Sequence, residues 1–386
     1  MREKRWTRPV DHYVGIPLCA LLGAGAKIMA RLKPPPERRV FSMLVIKFSA
    51  VGDTILLTPA LSALRRHFPD ALLTFLCTPV NREVVQQIPY VDDILCFDGL
   101  RSFLRTAKEL RARQFDLVID FEQWMRTSAL LTVLSGAPRR LGFDTPGQHR
   151  AVAYTETFRP LEGVHEMGNF LRLALLTGAT PTGERPRLWL TDADREKAVQ
   201  ILRNKPRPLV AVHPGCGPKG APREWFPEHY ALVADQLIEE QGATIVVTGG
   251  PGEKSLVEQV AAMMMHPPLT LAGVLSVTEF AAVLERCDLL ICGNTGAMHI
   301  AAAVGTPTVA LHGPTNPRKW GPVGEGHIVI QSRLPCSPCL NLGWDYGCKS
   351  HPCMSAISVE EVYRAALQVL RRSAPAFIPL TEVAVG

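Results

Sequence analysis

The run Ile291-Cys-Gly-Asn-Thr-Gly-Ala-Met-His299, continuing Ile300-Ala-Ala-Ala-Val-Gly305-Thr-Pro-Thr-Val-Ala-Leu311, leaves few folds open. The apolar segment from Asp288 to Cys292 reads as a buried strand and Gly293-Asn294-Thr295-Gly296 as a turn. An Ala-rich helix then ends near Gly305, and a second strand starts at Pro307. Strand, helix and strand in this order make a βαβ unit. The turn suits a phosphate, because the first N–H groups of a helix lack partners and carry the positive end of its dipole. Gly293 and Gly296 let the backbone approach a ligand closely. An ordinary α/β turn has the same outline, so the unit alone does not decide between the two.

With 386 residues, 47% of them hydrophobic, the chain has material for two domains with separate cores. Leu, Ala, Val and Ile with few aromatics suit parallel strands alternating with helices. The charge is localised. Residues 1–39 hold Arg2, Lys4, Arg5, Arg8, Lys27, Arg31, Lys33, Arg38 and Arg39 against Glu3, Asp11 and Glu37. That leader carries the whole net charge of +6, and the remaining body is formally neutral, which argues against a nucleic-acid surface. Within the leader, the apolar stretch from Val14 to Ala30 is interrupted by Pro17 and Lys27, and it falls short of the ~20 residues of a spanning helix. A cleaved signal peptide fits poorly with the long, Asp11-containing start and with ten Cys in no compact disulfide framework. The leader, 1–39, therefore reads as a basic amphipathic segment on the cytoplasmic face of the inner membrane, making the protein cytoplasmic and peripheral. A loose or self-packed leader is the alternative.

The first domain, 40–190, is expected to be a doubly wound α/β domain on the acceptor side. A strand from Phe41 to Phe48 delivers Ser49-Ala-Val-Gly52-Asp53 to its carboxyl end, and Thr58 with Pro59 marks a helix start. Asp53 thus sits where open α/β sheets bind ligands, although it could also cap the turn. Strands and helices alternate to Leu176, and Arg65, Arg66, Arg126, Arg139 and Arg140 stand on the loops as cations for an anionic acceptor or as solvated charge. Pro181, Pro186, Pro206 and Pro208 mark the connection to the second domain, 191–356. There His213-Pro-Gly215-Cys216-Gly-Pro-Lys219, Gly249-Gly-Pro-Gly-Glu253, Gly273-Val-Leu275-Ser276 and the Asn294-Thr295-Gly296 turn each follow a strand. Four Gly-rich strand ends on one side of a sheet suit a nucleotide diphosphate, with Lys219 and Arg223 supplying charge and Glu253 accepting from ribose hydroxyls. Neither the Walker loop nor the dinucleotide fingerprint is present.

Two open α/β domains with sites facing across a cleft are the physical outline of a sugar-nucleotide enzyme. Ser49-Ala-Val-Gly-Asp53-Thr-Ile-Leu-Leu-Thr-Pro59-Ala-Leu, His213-Pro-Gly215 with Arg223-Glu-Trp225, Gly249 to Glu253, Asn294-Thr-Gly-Ala-Met-His299 and His312-Gly-Pro-Thr-Asn316 carry a family resemblance. Together they resemble glycosyltransferase family 9, the ADP-heptose:lipopolysaccharide heptosyltransferases, over about residues 41–370. The resemblance implies an α/β fold of the GT-B type, two Rossmann-like doubly wound domains, and inverting transfer that requires no cofactor or metal. It implies Asp53 as catalytic base. It also implies a donor site at Gly215, Cys216, Arg223, Glu253, Thr295, Gly296 and His299, which Lys219, Leu275 and Asn294 join from the same loops. Arg65, Arg126 and Arg140 are the candidate acceptor-binding residues. One departure is Asn294, where the family usually has Asp; it points to a different donor or an inactive relative.

The chemistry agrees with the resemblance. Inversion needs one carboxylate to take a proton from the acceptor hydroxyl and positive charge to stabilise the departing diphosphate. The expected partners are a nucleotide-sugar donor, ADP-heptose, a lipid-linked glycan acceptor such as lipopolysaccharide core, and the inner membrane surface, with no nucleic acid. A sugar-nucleotide epimerase of the same architecture and a non-catalytic nucleotide- or glycan-binding relative are the rivals. In the loop 336–353, Cys336, Cys339, Cys348 and Cys353 have a spacing compatible with structural zinc, and reduced thiols are the competing reading. The segment 357–386 is expected to hold a helix crossing back to the first domain, followed by a loose tail.

Overall fold

Apolar runs of a few residues, each followed by a helix, are what a sheet covered on both faces requires. The computed structural model describes residues 11, 13–32, 39–218, 220–340 and 350–373 and has two such sheets. Among the described residues, one unit runs to Asp192 and includes Arg318–Val323; the other comprises Ala193–Pro317, Gly324–Leu340 and 350–373. The first unit holds β1 (Ser42–Ile46), β2 (Leu72–Cys77), β3 (Asp93–Cys96), β4 (Leu117–Asp120), β5 (Arg139–Phe143) and β6 (Glu156–Phe158). Its sheet order is β3-β2-β1-β4-β5-β6, with every neighbouring pair parallel. The second unit holds β7 (Leu209–His213), β8 (Thr244–Gly249), β9 (Leu269–Ala272), β10 (Leu289–Gly293), β11 (Thr308–His312) and β12 (Ile328–Gln331), in the order β12-β11-β10-β7-β8-β9 and again parallel. The two orders are equivalent. Each reverses at one place, between β1 and β4 or between β7 and β10, and the crevice outside the strand ends there is where such sheets take ligands.

Burial explains why the strands read as continuous apolar runs. In β1, Met43 and Val45 enter one core with Leu57, Phe75 and Phe170, while Leu44 and Ile46 enter a second on the other face with Leu110 and Val118. The β12 and β6 strands, three or four residues long at the sheet edges, carry too little pattern to be seen in the sequence.

Two helices differ from expectation. Helix Val51–His67 starts seven residues before Thr58, so Pro59 lies inside it. The Thr58 hydroxyl donates to Ile55 O at 2.8 Å, the carbonyl that the missing Pro59 N–H leaves without its usual partner. Helix Val359–Ser373, expected to cross back to the first unit, is grouped with the second. Its Val362, Ala366 and Val369 are buried in the second core with Trp225 and Tyr230, and Tyr363 Oη donates to Glu240 at 2.6 Å. Among the described residues beyond Asp192, Arg318–Val323 is grouped with the first unit. The expected tail beyond Ser373 lies outside the described residues.

The leader contains helix Gly15–Leu32, and it packs on the first unit. Cys19 is buried with Ala129, Leu130, Ala153 and Tyr154. Gly23 faces the Val152 carbonyl so closely that a Cβ there would come within 2.5 Å of the oxygen. Just before this helix, the Asp11 carboxylate accepts from Arg126 N at 3.2 Å and from Thr127 N at 2.9 Å. It thereby caps helix Arg126–Leu134, whose own N-cap residue, Met125, makes no side-chain cap bond. Tyr13, Val14, Leu18 and Leu21 remain exposed. Among the described residues no helix is long and apolar enough to cross a membrane.

Candidate active site

At the reversal point of the first sheet, the chain leaves β1 through Lys47 and turns into helix Val51–His67, whose first turn carries Asp53. The positive end of the helix dipole favours a carboxylate there. The Asp53 carboxylate lies 3.2 Å from Lys47 Nζ, and that ammonium lies 3.1 Å from Glu122 Oε1, just beyond β4. The same Glu122 oxygen accepts from Phe48 N at 2.7 Å and Ser49 N at 3.1 Å. Lys47 and Glu122 are buried, whereas the Asp53 side chain keeps 27% of its exposure. Burial raises the Asp53 pKa; Lys47 pulls it down and Glu122 pushes it further up, leaving it above the ordinary carboxylate value. Burial also opposes the Lys47 charge, but Glu122 and Asp53 outweigh it and the lysine pKa is raised. A raised carboxylate with an open face is a competent general base.

Behind this group lies a buried network. Arg150 Nη2 is 2.6 Å from Asp120 Oδ2, which also accepts from Tyr154 and Ser128, and Arg150 Nη1 donates to Glu122 O. A buried ion pair with its hydrogen bonds filled keeps a defined geometry, and here it fixes the backbone that presents Glu122. On the other side, Glu166 lies 3.3 Å from Lys319 Nζ and accepts from Asn169 and Gln123. Lys47 and Glu122 escaped the sequence reading. The available signals were a lysine at the end of an otherwise apolar strand and an acid just after β4.

The three arginines taken as acceptor contacts are instead bound within the first unit. Arg65 donates to Ala71 O and Tyr90 O, both at 2.8 Å, and pairs with Asp92. Arg140 is buried, donating to Ala137 O at 2.6 Å and Ala153 O at 3.0 Å. Arg126 is buried, its guanidinium 3.3 Å from Asp11 and 3.2 Å from Gln148 Oε1. These bonds tie chain segments together within the first unit.

In the second unit the structure brings together Gly215, Cys216, Arg223, Glu253 and Asn294. Glu253 Oε1 accepts from Gly217 N at 2.8 Å and Oε2 from Gly250 N at 2.7 Å, joining the loops after β7 and β8. Gly215 leaves room for that side chain, since a Cβ there would lie 2.2 Å from Glu253 Oε1 and displace it. Arg223 crosses the reversal point: Nη1 donates to Asn294 O at 3.0 Å and Nη2 to Cys216 O at 3.1 Å. Cys216 contributes through its backbone, since burial pushes its thiol up to about 12. Trp225, fully buried and donating to Ile357 O at 3.0 Å, anchors the end of this loop. Thr295 precedes helix Gly296–Val304 without a side-chain cap bond, so its hydroxyl does not occupy the first helical amides. His299 is buried on that helix, and Leu275 is half-buried on the loop after β9. Lys219 lies outside the described residues.

Two histidines line the same strand ends. His213 is 3.0 Å from Thr248 Oγ1 and 3.5 Å from Glu253, with its pKa lowered by burial against the pull of Glu253. His312 bonds Thr315 Oγ1 at 3.1 Å, and burial lowers its pKa to about 4. Of the four cysteines considered for zinc, Cys336 and Cys339 are exposed, Cys353 is buried in the second core, and Cys348 lies outside the described residues. Among the described residues no three His, Cys, Asp or Glu side chains stand together as a metal set.

Comparison with known proteins bears on the family and the fold. The model of glycosyltransferase family 9 (heptosyltransferase) matches residues 103–349. The lipopolysaccharide core heptosyltransferase OpsX of Haemophilus influenzae is 23% identical over 334 residues, covering 83% of this chain and 94% of that protein. Lipopolysaccharide heptosyltransferase 3 of Escherichia coli is 26% identical over 353 residues, covering 84% and 96%. Among solved structures, a glycosyl transferase family 9 protein from Veillonella parvula superimposes with a TM-score of 0.74 at 24% identity, covering 87% of this chain and 99% of that one. The E. coli ADP-heptose lps heptosyltransferase II gives 0.70 at 21% identity, covering 86% and 99%. The fold is thus the GT-B type of α/β architecture.

Proposed function

We propose a reaction on the premise that this chain belongs to glycosyltransferase family 9 and is a glycosyltransferase. The reaction is inverting transfer of a heptose from ADP-heptose to lipopolysaccharide core or a related glycan, with no metal required. The names of the similar proteins support the sugar and the acceptor, and one structural neighbour is described by its ADP-heptose donor. In this reading the acceptor hydroxyl oxygen attacks the anomeric carbon from the face opposite the diphosphate. Its proton passes to Asp53, and the bond to the diphosphate breaks with its electron pair on the leaving oxygen. The Gly215–Gly217 loop, Arg223 and the amides at Thr295 and Gly296 would hold the diphosphate and stabilise that charge.

The observation that carries the reading is Asp53, a carboxylate with a raised pKa that stays partly open, in the first turn of a helix at the reversal point of its sheet. Asp53→Asn is expected to lower kcat by about 10²–10⁴-fold while donor affinity stays nearly unchanged, because the group acts mainly in the transition state. Turnover of ADP-heptose onto a core-deficient acceptor lipid, with donor affinity measured separately, tests this. A fully active variant would overturn the assignment of the base.

The reading extends to location: a cytoplasmic protein peripheral to the inner membrane. Its support is the exposed apolar row of Tyr13, Val14, Leu18 and Leu21 beside a sequence segment rich in Arg and Lys.

A further inference from the structure

We propose that Lys47, gripped by Glu122, is a positioning residue for the transfer: its ammonium holds the Asp53 carboxylate in place and keeps it ionised for the proton it accepts. The inference rests on Asp53 being the base. Lys47 comes from the end of β1, Asp53 from the following helix and Glu122 from the end of β4, so the three meet only because those strands are neighbours. The ammonium stands 3.1 Å from Glu122 and 3.2 Å from Asp53, and the Phe170 ring closes one side at 5.8 Å. Glu122 alone could neutralise a buried lysine. Glu122 is also held by the amides of Phe48 and Ser49, so its position does not rest on the lysine. What the second contact adds is a fixed cation beside the one carboxylate of the group that remains partly open.

The surrounding charges must be included in any pH argument. Glu122 and Glu166 oppose ionisation of Asp53, and Glu166 is countered by Lys319. The Asp120–Arg150 pair behind Glu122 is internally compensated. Lys47 is therefore the cation in direct contact with Asp53, and removing it makes the carboxylate harder to ionise, whereas removing the Glu122 charge makes it easier.

The test is the pH dependence of kcat/KM in Lys47→Met, Lys47→Arg and Glu122→Gln, alongside a carbon-13 NMR titration of the Asp53 carboxyl assigned by difference from Asp53→Asn. Lys47→Met should move the acidic limb up by about one pH unit or more, with activity partly regained at high pH. Lys47→Arg should leave the limb near its original place, and Glu122→Gln should move it down. A uniform loss at every pH with an unmoved limb and an unmoved carboxyl titration would show that Lys47 only supports the fold, and would overturn the proposal. The NMR titration does not depend on turnover. If Asp53→Asn retained full activity, the base assignment would fall on its own, while an unshifted carboxyl in Lys47→Met would refute the coupling separately. If Lys47→Met does not fold, the Asp53 carboxyl titration in Lys47→Gln decides the question: an upward shift supports the coupling and an unmoved titration overturns it.

Discussion

Lys47 and His312 both sit buried at strand ends, yet one is held charged and the other neutral. The difference is the company. Lys47 has two carboxylates within salt-bridge distance, whereas His312 has a hydroxyl at 3.1 Å and feels the like charge of Arg223. Its folded pKa near 4 lies below that of a free imidazole, so the unfolded chain takes up a proton first as the pH falls. Stability from this group is present above pH ~6.5 and is lost progressively down to pH ~4. Between pH 7 and pH 5 the loss is on the order of 2 kcal/mol. Urea denaturation at the two pH values should show that difference shrinking in His312→Gln, and an equal difference in both proteins would contradict the assigned pKa.

At the scale of elements, helix Arg126–Leu134 borrows its cap from far away. A helix start leaves N–H groups unpaired, and Met125 has no oxygen to offer, so the Asp11 carboxylate answers for two of them and pairs with Arg126 as well. The cap also pins the leader to the first unit next to buried Cys19. Asp11→Ala should therefore cost about 1–2 kcal/mol, read as a lower urea midpoint with an unchanged slope. An unchanged midpoint would mean that the Asp11 cap contributes nothing to the fold.

At the scale of the whole molecule, the leader packs one face on the first unit, and the membrane proposal concerns the other face. Positions 15, 19 and 23 turn inward, while 14, 18 and 21 form an exposed apolar row with Tyr13 just ahead of it. Deleting residues 1–39 would remove Asp11 and Cys19 along with that row, so point changes on the open face separate binding from stability. Leu18→Glu combined with Leu21→Glu should release the protein from vesicles rich in anionic phospholipid while its thermal midpoint stays the same. Vesicle binding equal to that of the unchanged chain would remove the membrane assignment.

What the amino-acid order determined alone was everything with a short repeat. Apolar runs punctuated by Gly, Asn and Pro specify most of the strands, turns and helices, though not the start of helix Val51–His67 or the short edge strands, and this placed Asp53 and the Gly-rich loops at strand ends. The tertiary structure alone decided which charges meet. Lys47 and Glu122 are 75 residues apart and Asp11 and Thr127 are 116 apart, so no local period announces either pair. The same holds for Arg65 and Arg140, which look like free cations in the sequence until the fold supplies the carbonyls they bind. It holds as well for helix Val359–Ser373, whose apolar face reveals that it packs but not on what. Periodicity reports that a face is buried; only the folded chain selects its partner, because that choice depends on shape and charge contributed by distant segments.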